Sequence, residues 1–521
     1  MASVVSLSFL PPLALLAVAA FALARPGRRP GALTRLAEGV TLAGLGLSLA
    51  GLVQFLAFGP SRIGLLEGWA YLGLRADLVS ITLAVLVSFI GWIVMRYSRT
   101  YLDGEAREGA FHGLMLSTLA AVLIFVQSGS LLVLVGATCA VGISLRRLLL
   151  FYRERAEARR ASIKFGLVWH GGDVALALAA LLLMASFGTG NLDELSTSAQ
   201  AGGLGLSGHV AVGFIVLAAI LKTASFPLHG WLTEVMEAPT PVSALLHAGI
   251  INSGGVILLF CASLVQMSPG AMASLAMIGG FTALFGASVM LTQSAIKTSL
   301  AWSTVAQMGF MLLQCGLGLW ALALLHIIAH SLYKAHAFLS SGGAVAQVAS
   351  LRRPGPVAVP GFQVVLRSFA LALVLYGAIA VLFSMVLGPK SAQALALGAI
   401  LIFGVAYLVA QGLADLAPVA LTRRTVVASV AAAIAYFSFQ AGATAIWGGV
   451  LPAAPVPGPL EWALIVLAIV SFGLVAFAQA LFPLWAHHPA TAGVRVHLAN
   501  GLYLNALLDR AIGGFRSSKS I

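Results

Sequence analysis

Charge is what this chain has least of. Of its 521 residues 9% are Asp, Glu, Lys or Arg, against roughly 25% in soluble globular domains. With 60% hydrophobic residues, that scarcity excludes a soluble enzyme, and it equally excludes a disordered chain. Cysteine is nearly absent. Cys139, Cys261 and Cys315 each sit inside an apolar run, and no CxxC or Cys/His ligand spacing occurs. Neither a disulfide framework nor a zinc site follows. Alternating segments of about ten residues, the mark of a membrane barrel, are also missing. What the sequence does have is long apolar runs, and only helices satisfy their backbone over such runs in lipid. The fold class expected is all-α: a polytopic membrane protein of about 14 to 15 helices embedded in a lipid bilayer.

The runs cover approximately residues 6–25, 37–58, 77–97, 110–128, 130–150, 164–188, 208–227, 240–264, 271–292, 298–316, 319–347, 364–387, 393–420, 425–448 and 460–485. The first is followed, not preceded, by its basic residues, so it reads as a retained span rather than a signal peptide. The 29 basic residues outnumber the 16 acidic ones. This excess is not a nucleic-acid footprint, because 23 of the 29 fall in odd-numbered connections and the tail. Even-numbered connections hold Arg62, Arg75 and Lys390, while Lys222, Lys334 and Arg367 lie inside spans. Basic residues concentrate on the cytoplasmic side. The expected topology therefore puts the N-terminus outside and the C-terminus in the cytoplasm. The tail beyond about residue 495 reads as amphipathic, with His497, Leu498, Leu502, Tyr503, Leu504, Leu507 and Leu508 on one side and Arg495, Asp509, Arg510, Arg516 and Lys519 on the other. Such a face suits either a partner or the lipid surface.

The informative residues are the ionisable ones inside apolar runs, which mark ion pathways or paired sites. Lys222 ends the seventh run, and Pro227 five residues later breaks the helix, as in the discontinuous helices of transporters. His229 stands just beyond. A lysine at a membrane edge can also simply snorkel. His326, His330 and Lys334 recur at steps of four in the eleventh run, so they share one helix face. Imidazoles relay protons because they titrate near neutrality. Asp173 follows Gly171 and Gly172 in the sixth run. His247 follows Pro239 and Pro241 in the eighth. Lys297 opens the tenth, with Ser303, Thr304 and Gln307 one to three turns on. An interface charge is an equal reading for Lys297. Together these residues suit proton movement better than transport of a bulky solute.

The stretch from Leu221 to Val256 contains Ala238 to His247, APTPVSALLH. It resembles the core signature of antiporter-like proton-conducting subunits, found in respiratory complex I and multisubunit sodium/proton antiporters. A second block, IKTSLAWSTVAQMGFMLLQCGLG with HIIAHSLYKAHAFLSSG, matches the family's second half. The resemblance implies two inverted five-helix repeats, each with a broken helix. The corresponding divisions are 1–100 for N-terminal helices, 101–265 and 266–421 for the repeats, and 422–521 for the last helices and the cytoplasmic tail. It also implies that Lys222 is the central lysine of the first half-channel and His247 its connecting histidine. Lys297, His326, His330 and Lys334 would form the axis into the second half. Glu237, within the family's methionine-glutamate form of the motif, would support the path.

Two departures stand out. The family's fifth span usually carries a glutamate for the central lysine, whereas here Thr138 and Cys139 occupy that region. The twelfth run lacks the usual lysine or glutamate, with only Arg367 and Asp415 nearby. The stretches RYSRTYLDGEAREGAF, LLLFYRERAEARRASIKF and HLANGLYLNALLDR are similar to a subgroup, the membrane subunits of two-component inorganic carbon transporters. That subgroup implies conduction of H+ or Na+ by this chain, no cofactor or metal of its own, and a DabA-like zinc protein on the cytoplasmic face. Hydration of CO2 would belong to that partner, so the chain itself is expected not to be an enzyme. The alternative is a subunit of an NADH dehydrogenase, hydrogenase-like or sodium/proton antiporter complex.

Overall fold

The computed structural model describes residues 5–343, 361–412, 419–481, 485 and 488–512. Among the described residues every one of the fifteen apolar runs is helical. The first seven are α1 (Leu10–Leu23), α2 (Leu33–Phe58), α3 (Leu78–Tyr101), α4 (Glu108–Val126), α5 (Leu131–Leu149), α6 (Ala156–Phe187) and α8 (Gly205–Lys222). The eighth run is two short helices, α10 (Thr240–Ala248) and α11 (Ser253–Phe260), joined through Gly249 and a 3-10 turn at Ile250–Asn252. After it come α13 (Pro269–Met290), α14 (Ile296–Gly316) and α15 (Trp320–Ser340). The last four are α16 (Phe362–Leu387), α17 (Ala392–Gly412), α18 (Val419–Trp447) and α19 (Pro459–Ala480). Among the described residues 12 helices are long and apolar enough to cross a membrane, with Leu7–Leu23 and Ala392–Ala406 as shorter apolar helices. The chain is a multi-pass membrane protein.

Between these helices lie elements that periodicity did not show. Strands β1 (Ser61–Leu65) and β2 (Leu72–Ala76) pair antiparallel as a ribbon between α2 and α3. Helix α7 (Leu192–Gly202) follows α6, which ends at Gly188 in the left-handed region, φ 71°. Helices α9 (Gly230–Glu234) and α12 (Ala262–Gln266) are single turns. Helix ends are capped as the sequence allows. The Asp77 carboxylate accepts from Ser80 N at 2.8 Å and the Ser80 hydroxyl accepts from Asp77 N at 2.8 Å, a reciprocal box that starts α3.

Inter-loop contacts agree with an alternating topology. Arg62 and Arg75 meet Asp193 at 2.9 and 3.2 Å, joining the second and sixth connections. Arg29 meets Asp103 at 3.2 Å and Arg155 meets Glu237 at 2.8 Å, joining odd-numbered connections on the opposite face.

The broken helix of the first repeat is present: α8 stops at Lys222, and α9 resumes at Gly230. The second repeat differs from the resemblance. Helix α16 runs unbroken for 26 residues, because no proline or glycine pair interrupts its apolar sequence as Pro227 does after α8. Arg367 on α16 is exposed. Asp415, Arg516 and Lys519 lie outside the described residues.

The tail forms α20 (Ala492–Ala499), a turn at Gly501–Tyr503 and α21 (Leu504–Ala511). It departs from the expected arrangement of faces. Asp509, placed on the polar side by periodicity, is buried against Lys164, at 2.7 Å. Leu507, placed on the apolar side, is exposed. The kink at residues 501–503 rotates α21 relative to α20, so one continuous helical wheel does not describe the segment.

Candidate ion path

The first cluster surrounds the end of α8. Lys222 is fully buried, and its Nζ lies 2.6 Å from Asp173 Oδ1 on α6. Gly172 makes room for it: a Cβ there would stand 3.2 Å from Lys222 Cγ. The ammonium also sits 4.1 Å from the centroid of the Trp169 ring, a favourable cation–π placement. The other carboxylate oxygen of Asp173 lies 2.8 Å from His170 Nδ1. His170 is 35% exposed. One carboxylate therefore joins a water-excluded lysine to an imidazole that reaches the surface. His170 was not singled out from sequence, although its spacing of three from an intramembrane aspartate puts the two on one face. Trp169 Nε1 donates to the Thr138 carbonyl on α5 at 3.1 Å.

The second cluster is built from α10, α14 and α15. The Thr304 hydroxyl donates to the Leu300 carbonyl at 3.0 Å, so it accepts from His247 Nδ1 at 3.1 Å. His247 Nε2 is buried without a hydrogen-bond partner. His330 Nε2 donates to the His247 carbonyl at 3.1 Å. Lys334 Nζ donates to the Leu300 carbonyl at 3.0 Å and to the Ser303 hydroxyl. His326 donates to Gln314 Oε1 at 2.9 Å, and its ring centroid stands 6.0 Å from that of His330. His326, His330, Lys334, Ser303 and Gln307 all line one open cavity of about 810 Å³, whose walls also include residues of α17 and α18 such as Tyr436. A water occupies about 30 Å³, so protonatable groups and water can share that space.

The remaining candidates are placed as follows. Lys297 is half-buried at the start of α14 and donates to Thr240 Oγ1 at 3.2 Å. Pro239 and Pro241 start α10, which delivers His247. Pro227 lies in the break, and His229 just beyond it packs against Phe226, Phe285 and Trp302. Glu237 is not on this path. Its carboxylate accepts from Arg155 in a half-exposed surface pair at 2.8 Å, because the 3-10 turn at Val235–Glu237 turns it outward. Among the described residues no hydrogen bond joins the Lys222 cluster to the His247 cluster. No group of three or more His, Cys, Asp or Glu side chains converges there as metal ligands would.

A family model described as "NADH:quinone oxidoreductase/Mrp antiporter, TM" matches residues 128–375. A second, "NADH-Ubiquinone oxidoreductase (complex I), chain 5 N-terminus", matches residues 69–112. The chain is 38% identical over 493 residues to a Halothiobacillus neapolitanus protein named "Probable inorganic carbon transporter subunit DabB2", covering 90% of this chain and 86% of the relative. The chain belongs to the DabB family of inorganic carbon transporter subunits. Its helices superimpose on a chain of the Mrp complex from Dietzia sp. with a TM-score of 0.61 at 22% identity, covering 99% of this chain and 61% of that one. Against a chain of respiratory complex I from Thermus thermophilus the TM-score is 0.55 at 20% identity, with 96% and 99% covered. The DabB family thus shares its fold with antiporter-like membrane subunits.

Proposed function

We propose that this chain conducts protons, or sodium ions, across the bacterial inner membrane and couples that flow to inorganic carbon accumulation. The observation that carries the reading is the Asp173–Lys222 pair beside the helix break. A buried ion pair is costly to desolvate and is poor evidence of stability. At membrane depth it marks an ion path. Asp173 offers two exits for a proton, Lys222 on the buried side and His170 on the exposed side. The cavity holding His326, His330 and Lys334 supplies the second protonatable set, and His247 reaches toward it through the His330 hydrogen bond.

The positive-inside split supports a cytoplasmic C-terminus. The DabB relative's printed name supports inorganic carbon as the accumulated species. On this reading CO2 hydration takes place in a DabA-like zinc partner on the cytoplasmic face, and this chain contributes no ligand to that metal. The fold shared with Mrp and complex I subunits favours a second reading, conduction within a redox or antiporter complex. Copurification from native membranes followed by metal analysis separates the two. A stoichiometric zinc protein supports the first, and antiporter or redox subunits support the second. Lys222→Ala should abolish bicarbonate accumulation while the chain still inserts. Wild-type accumulation in that variant would defeat the first reading.

A further inference from the structure

The tail crosses the face on which α6 begins and on which α9 and the α13–α14 turn lie. Gln293 Nε2 donates to the Ala499 carbonyl at 3.2 Å. Gly501 lies over Trp302 and His229: a Cβ there would stand 3.1 Å from the Trp302 ring and 3.9 Å from His229 Nε2. Farther on, Asn505 and Asp509 reach Lys164, a fully buried lysine on α6. Lys164 Nζ lies 2.7 Å from Asn505 Oδ1, 2.7 Å from Asp509 Oδ1 and 2.5 Å from Glu234 Oε1 on α9. Asn505 Nδ2 donates to that same Glu234 oxygen. The tail is therefore anchored at both ends, on the second half and on the first, and it passes beneath the break that follows Lys222.

Two further observations point to movement and to what lies beneath. Gly501, Leu502 and Tyr503 have φ of 55°, 53° and 58°. Left-handed backbone disfavours residues with a Cβ. Two such residues in succession persist only where their surroundings hold them, and such strain collects at switch regions. Directly under this turn His229 is 1% exposed, with Nδ1 buried and without a hydrogen-bond partner. A buried unpaired imidazole at a helix break meets water only if its cover lifts.

We propose that residues 499–511 are a hinged strap that gates water access to His229 and the break beside Lys222, closed by Asp509 and Asn505 on Lys164. Opening swings α21 away from α9, lifting Asn505 off Gly230, the residue after His229, and relaxes the left-handed turn at 501–503 that lies over His229. Lys164 keeps Glu234 as its partner throughout, so no lysine is left buried and uncompensated. The strap rests on the proposed orientation only for which compartment it faces.

The test is accessibility in the full chain. Cys139, Cys261 and Cys315 are replaced by alanine and His229→Cys is introduced. Inside-out vesicles are then treated with a membrane-impermeant maleimide. With the strap otherwise native, labelling should be slow but complete. Asp509→Lys, which sets two ammonium groups together, should speed it at least about tenfold, because labelling tracks the open population. Asp509→Asn keeps the side-chain volume, should give an intermediate rate, and covers the case in which the lysine variant fails to insert. Identical rates in all variants, or no labelling with the native strap, would overturn the proposal. Labelling from the opposite face alone, still accelerated by the Asp509 variants, would support the strap and refute the assigned orientation instead.

Discussion

Asp173 on α6, not a residue of α5, holds the carboxylate that lies 2.6 Å from Lys222 Nζ. The acid that the family resemblance leads one to expect on α5 comes instead from α6, and Gly172 opens the room for the lysine stem. Lys222 is therefore paired although α5 offers Thr138 and Cys139 and no glutamate.

The two members of this pair are not equivalent, which gives an asymmetric prediction. Asp173→Asn strands a fully buried ammonium, a loss of roughly 3–5 kcal/mol for one partner of a buried pair. Lys222→Ala leaves Asp173 still paired with His170, at 2.8 Å. Both should abolish ion conduction, but thermal unfolding in detergent should fall clearly further for Asp173→Asn. Equal melting temperatures would show that Asp173 is not the group compensating Lys222.

If charge pairing rather than the identity of the helix matters, the acid can be moved back. Cys139 on α5 lies within electrostatic reach of both Asp173 and Lys222. Cys139→Glu combined with Asp173→Asn should recover a measurable part of the transport lost in Asp173→Asn alone, read as bicarbonate accumulation in cells. No recovery in a properly inserted double variant would assign Asp173 a role beyond pairing, through His170.

Much of this arrangement is legible in the sequence. Ionisable residues in hydrocarbon are expensive, so Lys222, Asp173, His247 and the His326–His330–Lys334 series announced themselves. Which acid serves which lysine did not, because Asp173 and Lys222 are 49 residues apart and their contact depends on how α6 and α8 pack. Lys164 stands at the start of an apolar run, where a connection charge is expected. It is buried only because residues 341 positions later fold back onto it. Glu237 lies inside a distinctive motif, yet a 3-10 turn carries it outward to Arg155. Periodicity could not show the turn.

The α13–α14 pair rests on small residues. A side chain at Gly309 would run into the backbone of Ala283 and Gly279, and a Cβ on Gly286 would stand 2.7 Å from Ala306 N. Small residues let helix backbones approach closely in lipid. Gly309→Leu should push α14 away from α13 and lower the yield of folded protein several-fold in size-exclusion chromatography. Gly280→Leu, whose neighbours are side-chain ends near 4 Å, should be tolerated. The reverse order would place the contact elsewhere.

His326, His330 and Lys334 line one cavity from one helix face, and each is held by a separate partner: Gln314, the His247 carbonyl, and Ser303 with the Leu300 carbonyl. If they work as one relay, the first break stops transfer and a second changes little. Single alanine variants should each reduce gradient-driven carbon accumulation strongly, and the His326→Ala/Lys334→Ala double variant should be far from additive, as coupled residues are. Their hydrogen-bond partners do not overlap, so pure packing roles would give losses that add. Because conduction is the proposed role, a protonophore should bring wild-type cells down to the level of the variants and should not lower the variants further. Small additive losses, or variants still sensitive to the protonophore, would reduce the series to structural support of α15.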